Sequence, residues 1–159
     1  MATVRVQAEP FDVGAEMAAL TAGRTGIGGI GCFVGLVRAT GGITAMTLEH
    51  YPGMTERALA GIAEQAEQRW DLLGCTLIHR IGRLTPGEGI VLVLAASGHR
   101  QAALEATTFL IDWLKTGAPF WKKERFADGK EAWVEAKEGE GLCPSTPLGP
   151  VGPRPLYFR

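Results

Sequence analysis

An α+β fold is what this sequence predicts, and three observations carry it. Strand-like apolar runs and amphipathic helices are mixed without strict βαβ alternation. Turn signals such as Gly41-Gly42 and Pro86-Gly87 separate the runs. A lysine-rich hairpin pattern follows the last helix.

The elements follow in order. Residues 3–8 read as a first strand, and residues 13–20 as a short helix capped by Asp12. Two apolar runs, 31–38 and 43–51, predict strands on either side of the Gly41-Gly42 turn. Across residues 55–70, Leu59, Ile62, Ala63, Ala66 and Trp70 recur at helical spacing, which leaves Glu56, Arg57, Glu64, Glu67 and Arg69 to solvent. Residues 76–84 and 90–97 read as further strands. A second long helix is predicted over 98–115, with Ser97 as N-cap and Ala103, Ala106, Phe109, Leu110, Trp113 and Leu114 as its buried stripe. The hairpin then pairs 120–126 with 131–136 around Asp128-Gly129. Residues 1–140 form the expected domain, and 141–159, with five of the nine prolines, an extended tail.

Composition narrows the function. A net charge of −1 gives no general attraction for nucleic acid or an anionic membrane, so anion binding needs a local pocket. No apolar run is long enough to span a bilayer and the N-terminus lacks a secretion signal, so a cytoplasmic location is expected. Cys32, Cys75 and Cys143 are odd in number and widely spaced, and His50, His79 and His99 lack ligand spacing, so neither a disulfide framework nor a metal is expected. Cys32 and Cys75 fall in apolar strands and read as buried thiols.

Charge placement is more informative. All five lysines lie between Lys115 and Lys137, while eleven arginines are spread along the chain. Lysine carries a compact ammonium that can shed its proton when desolvated, whereas arginine stays charged. Lys122 shares a strand face with Phe120 and Glu124, opposite Trp121 and Lys123, so only one of the paired lysines can line a given pocket. His99 and Arg100 stand in the first turn of a helix, where cations oppose the dipole unless they hold an anion. With Arg38 at a strand end, the set Arg38, His99, Arg100, Lys115 and Lys122 suits a small, multiply anionic substrate. The string Gly26 to Gly31 matches G-x-G-x-x-G but precedes a strand instead of opening a helix, so it is read as a flexible lead-in and not as a dinucleotide site.

Several segments together resemble the large, catalytic subunit family of molybdopterin synthase. They are Phe33-Val34-Gly35-Leu36-Val37-Arg38, Thr47-Leu48-Glu49-His50-Tyr51-Pro52-Gly53-Met54, Ile78-His79-Arg80-Ile81-Gly82, Ser97-Gly98-His99-Arg100, and Leu114-Lys115-Thr116-Gly117-Ala118-Pro119-Phe120-Trp121-Lys122-Lys123-Glu124. The resemblance implies an α/β hammerhead-like fold with an additional antiparallel sheet. It implies that a small ubiquitin-like subunit, carrying sulfur as a thiocarboxylate on its C-terminal Gly-Gly tail, gives two sulfurs to cyclic pyranopterin monophosphate. The product is the molybdopterin dithiolene, and no cofactor is required. Lys115 and Lys122 fall on the family's catalytic positions. Phe33, Leu36, Val37, Arg38, His99, Arg100, Lys123 and Glu124 fall on its substrate-binding positions. A homodimer of large subunits within a heterotetramer is implied, with His99 and Arg100 completing the neighbouring subunit's pocket. Since the partner supplies activated sulfur, the cysteines are expected to be dispensable. The chain departs from the family in a short 39–46 loop, in Leu36 and Lys137 where basic and arginine side chains are common, and in its proline-rich tail.

Overall fold

A computed structural model describes residues 2–134. The expected tail, Lys137, Cys143 and the end of the last strand lie outside the described residues. The elements in chain order are β1 (Thr3–Gln7), α1 (Val13–Thr21), β2 (Gly29–Leu36), β3 (Ile43–His50), α2 (Met54–Trp70) and β4 (Gly74–Arg80). They continue with β5 (Gly82–Leu84), β6 (Gly89–Ser97), α3 (Arg100–Thr116), β7 (Phe120–Phe126) and β8 (Glu131–Trp133).

Two four-stranded sheets result. The first has the order β1-β4-β6-β2, with β1 parallel to β4 and the other pairs antiparallel. The second, β5-β3-β7-β8, is antiparallel throughout. Both faces of the first sheet are covered, which is why β4 and most of β6 are buried without alternation. On one face α2 and α3 pack Ile62, Ala66 and Leu110 against Cys75, Leu77 and Val93. On the other, α1 lays Leu20 over Ile78, Leu92, Leu94 and Ala96. A third cluster, Val37, Leu48 and Leu84, joins the two sheets.

Four local expectations change. The run 76–84 is two strands in different sheets, because the chain turns at Gly82 with φ 82°, a left-handed conformation that glycine adopts without strain. The last long helix starts at Arg100 with His99 as N-cap, and Ser97 remains at the buried end of β6. Cys75 is buried as expected, but Cys32 is exposed, because α1 covers β4 and β6 and leaves the edge strand β2 open on that face. The glycine string is a packing seam, not a flexible lead-in.

That seam sets the direction of α3. A Cβ on Gly28 would lie 2.1 Å from the Gly98 carbonyl oxygen, and one on Gly29 3.3 Å from the Arg100 Cα. A Cβ on Gly31 would lie 2.1 Å from Thr107 Oγ1 and 2.6 Å from the Ala103 carbonyl oxygen. Backbone atoms cannot yield as a flexible side chain can, so Gly31→Ala should cost about 1–3 kcal/mol of stability in denaturant unfolding. The same contacts start α3 over the first residues of β2 and carry it along the strand, so its C-terminus arrives where β2 ends. Phe33 and Leu114 accordingly pack against the same core cluster.

Candidate functional site

The predicted cations fall into two groups at opposite ends of α3. Lys115 is exposed in its last turn, where the negative end of the helix dipole favours a cation. Arg38 is exposed two residues beyond β2, at the same end of the first sheet. Lys122 is exposed on β7, paired with Leu48 of β3, and its charge is felt by His79 near the C-terminal end of β4. His99 and Arg100 are exposed at the N-terminal end of α3. At a rise of 1.5 Å per residue, Arg100 and Lys115 stand about 22 Å apart within one chain.

The remaining predicted residues divide as well. Lys123 turns toward β8, where its Nζ lies 2.9 Å from Glu131 and 5.4 Å from the centre of the Trp133 ring. It is therefore turned away from Lys122, as strand alternation requires. Glu124 lies on the Lys122 face of β7 and is half-buried. Leu36 is 56% exposed, Phe33 is half-buried against α3, and Val37 is only 3% exposed. The Val37 side chain belongs to the core between the sheets, and its N–H donates to the Glu88 carbonyl.

Sequence reading missed what underlies Lys122. Phe120 stacks on His79 with ring centres 3.8 Å apart and planes at 17°, and His50 approaches the same ring at 6.3 Å. His79 is buried, and its Nδ1 lies 2.8 Å from the Arg80 carbonyl oxygen. A carbonyl only accepts, so Nδ1 carries the proton. Burial above all, with Lys122 and His50 adding repulsion against the Arg80 hydrogen bond, brings the His79 pKa down from 6.5 to about 4. The folded protein thus resists protonation there: the ring's contribution is whole above pH 6.5 and is lost as pH falls from 6.5 towards 4. The loss is about 3 kcal/mol. Unfolding in denaturant at stepped pH should show that slope, and His79→Phe should remove this part of it.

Two recesses lie elsewhere in the described residues. One, of about 70 Å³, is lined by Glu16, Leu20, Arg24, Cys75 and Thr76 among others. The other, about 300 Å³, is formed by Trp70, His99, Gln101, Ala102 and Glu105. Neither includes Lys115 or Lys122. Among the described residues no group of three His, Cys, Asp or Glu side chains could hold a metal, and no helix is long and apolar enough to cross a membrane.

Comparison with known proteins gives this arrangement a context. The profile of the MoaE protein family matches residues 6–117. The molybdopterin synthase catalytic subunit of Mesorhizobium japonicum is 58% identical over 138 residues, which cover 86% of this chain and 87% of that protein. A solved molybdopterin biosynthesis MoaE protein from Burkholderia ambifaria superposes with a TM-score of 0.77 at 49% identity, covering 88% of this chain and 93% of that one. A more distant structure, from Helicobacter pylori, is a complex of subunits 1 and 2 of molybdopterin-converting factor. It shares the fold with a TM-score of 0.68 at 21% identity, over 87% of this chain and 91% of that one. With a profile match over most of its length and a relative more than half identical, this chain belongs to the MoaE protein family.

Proposed function

We propose that the chain is the catalytic subunit of a molybdopterin synthase, and that its site is built from two copies of itself. The observation that carries the reading is the spacing of exposed cations: Lys115, Lys122 and Arg38 at one end of the first sheet, His99 and Arg100 at the other. Cyclic pyranopterin monophosphate and a thiocarboxylated peptide tail are both anions, so a cationic site is needed to bring them together. Lys115 stands by the tail's carbonyl and helps sulfur leave it, and Lys122 serves as acid or base at the pterin carbons. In each transfer a C–S bond forms at a pterin side-chain carbon as a C–O bond there breaks, its oxygen leaving with the opened phosphate or as water; at the tail the C–S bond breaks and a C–O bond from water takes its place, leaving a carboxylate.

The edge strand β2 supports a dimer. It is the edge of the first sheet, with β6 on one side and no strand on the other among the described residues. An unpaired edge with exposed Cys32 and Leu36 is a template for another strand. Leu104 of α3, 59% exposed, extends the apolar surface beside it. Two copies of β2 pairing antiparallel about a two-fold axis at Cys32 set Gly29 of one against Gly35 of the other. Arg100, packed over Gly29, is then delivered to the end where the other copy holds Arg38 and Lys115. The open Lys115 and Lys122 face of one chain is closed by the second. Cys32→Glu would bring like charges together across that pairing, so sedimentation should show dimer dissociation strengthened roughly tenfold.

The small ubiquitin-like subunit binds at the outer ends of this dimer, giving a heterotetramer that works in the cytoplasm. The test is reconstitution: the purified chain, the thiocarboxylated small subunit and cyclic pyranopterin monophosphate are mixed and dithiolene formation is followed. Stable complex formation without product would instead identify a binding module that holds the tail without turnover.

A further inference from the structure

The segment between Lys115 and Lys122 has few ties of its own. Gly117 N–H donates to the Trp113 carbonyl and Phe120 N–H to the Ala118 carbonyl, both local bonds. The segment is gripped from outside at Trp121, whose ring meets Tyr51 edge-on at 4.5 Å, and at Phe120, two positions before Lys122 on the same strand face. The Phe120 ring meets His50, its register partner in β3, and His79, which comes from the other sheet. The His79 stack is therefore a direct link between the sheet that α3 packs on and the strand that bears Lys122.

We propose that His79, which takes no chemical part in the reaction, is a positioning residue for Lys122: by stacking on Phe120 it sets where β7 begins and so where the Lys122 amine stands relative to Lys115. What the place demands is a flat, uncharged ring. Lys122 faces it from β7 and His50 from β3, so a cation at position 79 would meet repulsion. The neighbouring Arg80 guanidinium is turned away and spent on the Ala8 and Gly89 carbonyls and on Glu88. His50 Nδ1 is buried with no hydrogen-bond partner among the described residues, which fits a pocket shaped for ring contact more than for polar exchange.

The inference rests on the function above only in taking Lys122 to act on substrate. Two variants in the full chain separate the ring from the imidazole: His79→Phe and His79→Leu both lose the bond to the Arg80 carbonyl, and only phenylalanine keeps a flat ring. In the reconstituted assay His79→Phe should stay within about threefold of the wild-type kcat. His79→Leu should fall at least about tenfold, because small displacements of reacting groups are costly. The half-saturating concentration of the small subunit should stay unchanged in both. Equal kcat in the two variants would overturn the proposal, whether both are normal or both are low. Phe120→Leu, tested in parallel, should show the same fall even if His79→Leu does not fold; wild-type kcat there also overturns it. A wild-type chain without turnover would refute the functional reading instead. Crystal structures of the variants still decide the positioning in that case, since an unmoved Lys122 in His79→Leu or Phe120→Leu would sink it.

Discussion

Lys115→Arg should abolish most turnover, by about 10²–10⁴-fold in kcat, the scale of losing one acid-base group. The chain should still fold and still bind the small subunit, since position 115 is exposed at a helix C-terminus where either cation suits the dipole. What changes is chemical. A guanidinium does not give up its proton in a protein and presents a planar fork where an amine is a single point. Single-turnover kinetics and a binding isotherm for the small subunit together read the result. A variant with wild-type kcat would show that Lys115 supplies charge alone.

The second large effect comes from mixing two inactive chains. If His99 and Arg100 serve the neighbour's lysines, Lys115→Ala and Arg100→Ala proteins should each be inactive as homodimers. Mixed in equal amounts and allowed to exchange subunits, half of the dimers pair one variant with the other. Each such heterodimer contains one site with both native residues and one lacking both, so activity should return to about a quarter of wild type. A site contained in one chain gives no recovery at all. The measurement needs only the reconstituted assay and a mixing series.

Much of the fold was legible because its signals are local. The helical spacing of Leu59, Ile62, Ala63 and Ala66 and the apolar runs of β4 and β6 report directly which faces are buried. What escaped the sequence lies in contacts between distant segments. The apolar run 76–84 gives no sign that Gly82 passes the chain from one sheet to the other. Gly28, Gly29 and Gly31 answer to the close approach of Gly98 and the start of α3, about 70 residues later, which no periodicity encodes. Cys32 looked like a core thiol because its strand is apolar, and only the short reach of α1 leaves it open.

The candidate site divides the same way. The concentration of lysine after residue 114, and the strand alternation separating Lys122 from Lys123, could be seen at once. That His99 and Arg100 are far from Lys115 follows from one helix of 17 residues, and was implied only through resemblance. The His79, Phe120 and His50 contact joins residues scattered over three strands, and nothing in their spacing announces it.

Helix α3 acts as a gauge rod between the two halves of a shared site. Deleting one residue from its middle would draw the ends together by 1.5 Å and twist one against the other by about 100°. Tuning that distance by adding or removing residues in α3 is therefore closed to an engineer, and length changes belong in the turn at residues 39–42 between β2 and β3, outside every helix and strand.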